Sequence, residues 1–220
     1  MASRNSSFCC VENVRPDDKL AGSFDISAIV KVARNGKVKL ALLGITLYGS
    51  GYGIFLTTLP AWLLREKAFN ADHIGIFFSL FYVAISISQI ITGRLCGKFG
   101  SAVFMVCGLA AASIGLYAVR MANSSGLFAA LAAASLGLGV FYIASMIFLN
   151  ETVDETLKGT ISGAYYLFWG IGMFFGPPAL SAASAFIGYD TTLTAYASLF
   201  MAMAAIMLLK LKPTMKRNRI

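Results

Sequence analysis

Six runs of mainly apolar residues, at about 38–64, 74–92, 101–119, 126–149, 160–187 and 191–209, constrain this chain more than anything else in it. Each is close to the ~20 residues that a helix needs to cross a hydrocarbon core of roughly 30 Å. Inside that core no water is available to the backbone, so a spanning segment closes its hydrogen bonds within itself as an α-helix. The expected fold is therefore an all-α membrane protein with six transmembrane helices. It divides into an N-terminal tail over 1–37, a six-helix bundle over 38–211 and a basic C-terminal tail over 212–220. Composition supports the class: 58% of residues are hydrophobic and 13% charged, whereas a soluble domain carries about 25% charged residues.

The net charge of +8 would suggest a nucleic-acid partner in a soluble protein. Here the cations lie in tails and links, so orientation in a lipid bilayer explains them and no nucleic acid is called for. Six spans place both termini on one side. Of the eighteen Lys and Arg residues, all but Arg65, Lys67 and Arg120 fall on that side. The positive-inside rule then puts both tails in the cytosol of a multi-pass protein, with the plasma membrane as the expected location. The polar lead-in over 1–37, which has room for a short surface helix near 26–32, lacks the apolar core of a signal peptide.

Chemistry-bearing groups are scarce within the spans. All ten acids lie in tails, links or helix ends, and the one histidine, His73, lies in the link after the first span. Cys9 and Cys10 are adjacent, and Cys96 and Cys107 stand apart, so no cysteine–histidine cluster of metal-site spacing occurs and no cofactor or metal is implied. Gly49-Ser50-Gly51-Tyr52-Gly53 lies inside a span with no flanking strand, which excludes a nucleotide loop. An enzyme is not expected.

Four spans do carry polar and aromatic faces at helical spacing. Tyr48, Tyr52 and Phe55 share a face of the first, and Tyr82, Ser86 and Gln89 one of the second. Ser135, Tyr142 and Ser145 share a face of the fourth, as Ser162, Tyr165, Trp169 and Gly176 do on the fifth. The third and sixth are mostly Ala, Leu, Ile, Met and Phe. Four striped helices and two plain ones suit a cavity-lining core flanked by outer helices. Serines and tyrosines that merely bond between packed helices would give the same stripes. Read as a cavity, Tyr48, Tyr52, Tyr82, Gln89, Tyr142, Tyr165 and Trp169 would hold a neutral or amphiphilic small-molecule solute through hydroxyl, amide and indole groups.

An internal repeat underlies the spans. Gly51-Tyr52-Gly53-Ile54-Phe55 recurs 86 residues later as Gly137-Leu138-Gly139-Val140-Phe141, in the first and fourth spans. Three spans per copy invert the second copy, giving a 3+3 inverted repeat.

The link Thr92-Gly93-Arg94-Leu95-Cys96-Gly97-Lys98-Phe99-Gly100 reads as a tight basic turn at the membrane surface. It resembles the loop between the second and third helices in each half of major facilitator superfamily transporters. In that family the loop runs Gly-x-Leu-x-Asp-(Arg/Lys)-x-Gly, and its acidic position is Gly97 here. Lys158-Gly159 through Gly163 resembles the family's entry into the fifth helix, and Leu59-Pro60 is similar to its first-helix ending. Gly170-x-Gly172-x-x-x-Gly176-Pro177 resembles the glycine–proline kink prominent in its drug and metabolite exporters, although Pro178-Ala179-Leu180 follows where the exporters carry a further glycine pair. The resemblance covers about 40–209. It implies one six-helix half, closer to the C-terminal half, with the polar lead-in suiting a cytosolic linker before it. Gly93, Arg94, Lys98, Gly100, Gly172, Gly176 and Pro177 would be its conformational elements. The family fold needs twelve spans, so a second six-helix half, from a homodimer or another chain, is the implied partner. Two readings stand: an efflux-type carrier half working by alternating access, and a non-transporting or regulatory half that binds a partner.

Overall fold

A computed structural model describes residues 34–211 except 68 and 123, and leaves the side chains of 124 and 125 aside. The expected tails over 1–37 and 212–220, with the surface helix near 26–32, lie outside the described residues apart from 34–37. The helices are α1 (Gly36–Leu56), α2 (Thr58–Glu66), α3 (Ala71–Phe99), α4 (Ser101–Met121), α5 (Ser124–Thr152), α6 (Lys158–Ile187) and α7 (Tyr189–Leu211). A single 3-10 turn, Glu155–Leu157, precedes α6, and no strand occurs among the described residues. Six helices are long and apolar enough to cross a membrane: α1, α3, α4, α5, α6 and α7. The molecule is an all-α six-span bundle.

Local chemistry sets the breaks. The first apolar run divides at Thr57 into α1 and α2. The ring of Pro60 would meet the Leu56 carbonyl if α1 continued, whereas in the first turn of α2 its missing N–H is not needed. Thr57 Oγ1 closes the end of α1 by donating to the Gly53 carbonyl at 2.8 Å. At the start of α3 the Asn70 side chain accepts from the His73 N–H at 2.9 Å, and His73 Nδ1 accepts from the Asn70 N–H at 3.3 Å. The lone histidine is half of a capping box.

The link 92–100 departs from the expected turn. Gly93 to Phe99 continue α3, and the chain reverses at Gly100 alone, with φ 89° and ψ 137°. Gly188 makes the matching reversal between α6 and α7, with φ 80° and ψ 156°. Both lie in the positive-φ region that side chains avoid, and each lets the next helix begin at once. The Gly176-Pro177-Pro178 run does not interrupt the fifth span: α6 is continuous through Pro177 and Pro178.

Packing carries out the inverted repeat. The largest contacts are α4 on α5, α1 on α6, α3 on α5 and α4 on α7. The first span therefore packs on the fifth as the fourth packs on the second, which is what exchange of two three-span units requires. Repeat glycines occupy equivalent places. A Cβ on Gly53 would meet the Met173 carbonyl of the fifth span, and one on Gly139 would meet Ser88 and the Ile85 carbonyl of the second. Gly51 faces Phe200 and Tyr196 of the sixth span, as Gly137 faces Gly108 and Ala112 of the third.

One pairing breaks the symmetry. Gly108, Ala112 and Gly115 bring α4 into backbone contact with α5 at Gly137 and Ala134. The equivalent pair, α1 and α7, touches far less, because Tyr196 and Phe200 stand between the two helices.

Candidate functional site

The buried core supplies the frame from which the aromatic faces project. Of the six spans, α1 and α5 are the most enclosed, and α3 and α6 the least. Central helices flanked by α3 and α6 leave one open side where all four aromatic faces meet.

Backbone contact fixes α1 against α6. A Cβ at Gly49 would fall on the Trp169 carbonyl, one at Gly172 on the Thr46 carbonyl, and one at Gly176 on Ser50. Pro177 lacks the N–H that would bond the Met173 carbonyl, and that carbonyl faces Gly53 on α1. The proline and the glycine act together. A carbonyl freed within α6 is covered by a neighbouring helix that carries no side chain there.

On this frame the rings form a chain across four spans. Tyr48 lies 5.7 Å from Phe141, 6.0 Å from Tyr142 and 6.2 Å from Tyr52 between centroids. Tyr52 meets Trp169 edge-on at 5.8 Å and Phe81 at 5.4 Å, and Phe81 meets Tyr82 at 5.2 Å. Tyr142 meets Tyr165 edge-on at 5.8 Å, and Tyr165 continues to Tyr166 at 5.5 Å. Tilted and edge-on pairs at these spacings are the favoured aromatic geometries. Six of the seven candidate residues are thus brought together: Tyr48, Tyr52, Tyr82, Tyr142, Tyr165 and Trp169. Gln89 stands apart. It is half-buried about 10 Å farther along α3 than Tyr82, by the 1.5 Å rise per residue.

Polarity grades across the network. Tyr48 and Tyr165 are buried, Tyr52 and Tyr142 half-buried, and Tyr82 and Tyr166 half exposed at 50% and 53%. The Tyr82 hydroxyl lies beside that of Tyr52, and the Tyr166 hydroxyl beside that of Tyr142. These are two tyrosine pairs, one on the first and second spans and one on the fourth and fifth. The buried Trp169 indole N–H finds no hydrogen-bond partner among the described residues, while the buried Tyr165 hydroxyl lies beside that of Ser145. Buried donors are normally paired, so the orphan indole N–H is a donor available to something else. Phe81, Phe141 and Tyr166 are members the sequence stripes missed. Tyr166 follows Tyr165 directly, and a period of three to four selects only one of two adjacent residues.

Two serines of the stripes behave otherwise. Ser135 and Ser145 donate to carbonyls of their own helices at 2.7 and 3.0 Å, as Ser88 outside the stripes does at 2.8 Å. The plain third and sixth spans also hold cross-helix polar contacts. Ser113 Oγ donates to the Ala197 carbonyl at 2.8 Å, Tyr117 and Ser198 share a hydroxyl pair, and Arg120 donates to Thr194 at 3.1 Å. These contacts join α4 to α7 on the side away from the aromatic network.

The conformational residues separate into two groups. Gly172, Gly176 and Pro177 form the α1–α6 contact. Gly93 and Gly97 lie on an open side of α3, with Arg94 and Lys98 exposed beside them. Glu151, at the end of α5, accepts from Ser101 Oγ at 2.7 Å just beyond the Gly100 reversal. Among the described residues no group of three or more His, Cys, Asp or Glu could hold a metal ion.

A sequence model of the family described as Major Facilitator Superfamily matches residues 41–219. No curated protein matches the chain.

Proposed function

Since this chain belongs to the major facilitator superfamily, we propose that it is one six-helix half of a carrier that moves a small organic solute by alternating access, in the outward, efflux-type direction. Its transporter-type function follows from the family, and its six apolar helices make it an integral multi-pass membrane protein. The second half would be another copy or another chain, seated against the open side of α3 and α6. Both termini would face the cytosol, with the plasma membrane as the location.

One observation carries the solute reading: a four-span aromatic network with an unpaired buried donor at Trp169 and two half-exposed tyrosines. Tyr82 lies near the middle of α3 with its hydroxyl beside that of Tyr52, and a half-exposed pair of phenols at that depth suits a cavity between two halves. The Trp169 N–H would donate to the solute. The flat faces of Tyr52 and Tyr142 would hold its apolar part. No carboxylate or imidazole lies among these rings, so the solute would be neutral or amphiphilic. The half would rock as a unit, because glycine contacts lock α1 to α6 and α4 to α5.

A regulatory half that binds a partner without transporting is the second reading, favoured by Gly97 at the family's acidic loop position. Flux into proteoliposomes containing only this chain separates the two. Saturable flux of an aromatic or amphiphilic solute, reduced by Trp169→Phe, supports the carrier. A folded monomer that moves no member of a broad panel supports the regulatory half.

A further inference from the structure

Two cavities adjoin at the α6–α7 turn, on the opposite side of the bundle's central helices from the aromatic site's polar pairs. One, of about 370 Å³, is lined by Trp62, Glu66 and Lys67 of the α2 end and by Tyr189, Asp190 and Thr191 of the α7 start. The other, of about 640 Å³, is an apolar groove between α1, α6 and α7 that includes Ala179, Ala183, Ile187, Thr192 and Leu199. They meet along the chain, since Ile187 and Thr192 line the groove and Gly188 to Thr191 line the polar cavity. The groove exists because Tyr196 and Phe200 keep α7 from closing on α1, whereas the equivalent α4–α5 pair is sealed by glycine and alanine.

The polar cavity has the charge pattern of a receptor for a zwitterion. Glu66 and Asp190 provide two carboxylates and Lys67 one ammonium. Among the described residues none of the three is in an ion pair, although they line the same space. Lys67 Nζ sits 5.2 Å from the Trp62 ring centroid, and Trp62 stacks on Tyr189 at 4.8 Å. That stack holds the cation at the cavity wall. The Tyr189 hydroxyl is buried and has no hydrogen-bond partner among the described residues. The groove residues on α6 run from Ile171 to Ile187, about 24 Å at 1.5 Å per residue. One leaflet's hydrocarbon is roughly 15 Å deep, so an acyl chain fits along the groove.

We propose that these paired cavities bind one aminophospholipid, with a primary-ammonium headgroup between Glu66 and Asp190, its phosphate at Lys67 and an acyl chain in the α1–α6–α7 groove. A primary ammonium donates hydrogen bonds to both carboxylates, which a quaternary ammonium cannot do, so phosphatidylethanolamine is favoured over phosphatidylcholine. An anionic headgroup would set its extra charge against two carboxylates. The leaflet concerned is the outer one if both termini are cytosolic, but the binding does not depend on orientation or on transport.

The test is native mass spectrometry of the full chain, released from nanodiscs of equimolar phosphatidylethanolamine, phosphatidylcholine and phosphatidylglycerol. The expected result is one retained phosphatidylethanolamine, preferred about tenfold, the equivalent of one good charge-assisted hydrogen bond. The preference should vanish in Glu66→Gln/Asp190→Asn and persist in Lys98→Ala, a cation at the other end of α3. Ala183→Phe should lower retention of all three lipids by filling the groove while the headgroup cavity stays intact. Thermal melting of each variant confirms that it is folded. Equal retention of the three lipids, preference for phosphatidylglycerol, or a second protein chain in place of lipid would overturn the proposal. So would binding of soluble phosphoethanolamine as tight as the lipid's, since the groove would then contribute nothing.

Discussion

Trp169 concentrates the functional question at the scale of single residues. It buries a donor without a partner, an arrangement that costs about 1–3 kcal/mol. Trp169→Phe removes the orphan N–H and keeps a ring against Tyr52. The expected outcome is unchanged or slightly raised thermal stability together with solute affinity about tenfold weaker, by loss of one hydrogen bond. Melting and equilibrium binding on the same sample separate the two effects, and a fall in both would make Trp169 a packing residue only. Tyr52→Ala should also weaken binding. Ile114→Ala, 60% exposed on α4, should leave it alone. Leu109 is fully buried, so its truncation is expected to lower stability by about 2–5 kcal/mol and makes a poor control for binding.

Glycine placement decides how the elements meet. Gly49→Ala puts a methyl group on the Trp169 carbonyl, and Gly137→Ala puts one on the Ala112 backbone. Each is expected to destabilise by about 1–3 kcal/mol, because the obstacle is backbone that cannot turn aside. Gly163 lies on an open, exposed side of α6, so Gly163→Ala should change stability by no more than about 0.5 kcal/mol. Denaturation in mild detergent should show the losses at Gly49 and Gly137 and none of that size at Gly163. An equal effect at all three would mean that helix propensity, rather than close approach, dominates. The reversals at Gly100 and Gly188 form a second group. Substituting alanine at either should cost about 1–3 kcal/mol through backbone strain, and at Gly188 through strain alone, since a Cβ there meets nothing within 4 Å.

The whole molecule is defined by its orientation and by what drives it. Single cysteines in a cysteine-free background report orientation, with Asp72→Cys at the start of α3 and Glu155→Cys before α6. Both positions are exposed, and they lie at opposite ends of the bundle. An impermeant reagent applied to intact cells should label the first and spare the second, and the reverse result would invert the topology. Energy coupling follows from the acids, which among the described residues occupy only terminal turns and links. Asp72 and Asp190 stand in first turns, Glu151 near the end of α5 bonds Ser101, and His73 caps α3. A carrier that keeps no carboxylate or imidazole mid-bundle has no group there suited to hold a coupled proton. Flux by the reconstituted chain should therefore not respond to an imposed pH gradient. Proton-driven accumulation that persists in Glu151→Gln/His73→Gln would refute this account of the site.

The amino-acid sequence by itself determined the class and the number of spans, because a bilayer leaves a chain of six long apolar runs few alternatives to six helices. It also exposed the repeat, since Gly51, Gly53 and Phe55 recur as Gly137, Gly139 and Phe141, and it selected six residues that do meet in one aromatic network. Helical period is a local property, and it reports a face reliably. What that face touches is not local. Only the tertiary structure decided that Ser135 and Ser145 bond within their own helices while the plain third and sixth spans carry hydrogen bonds between them. It likewise decided that Gly93 to Phe99 stay helical, and that the carbonyl freed by Pro177 is met by a glycine more than a hundred residues earlier. The groove beside α7 was legible in no single segment. It arises where Tyr196 and Phe200 hold apart two helices whose counterparts close on glycine, and side-chain volume acts only once a neighbour is in place.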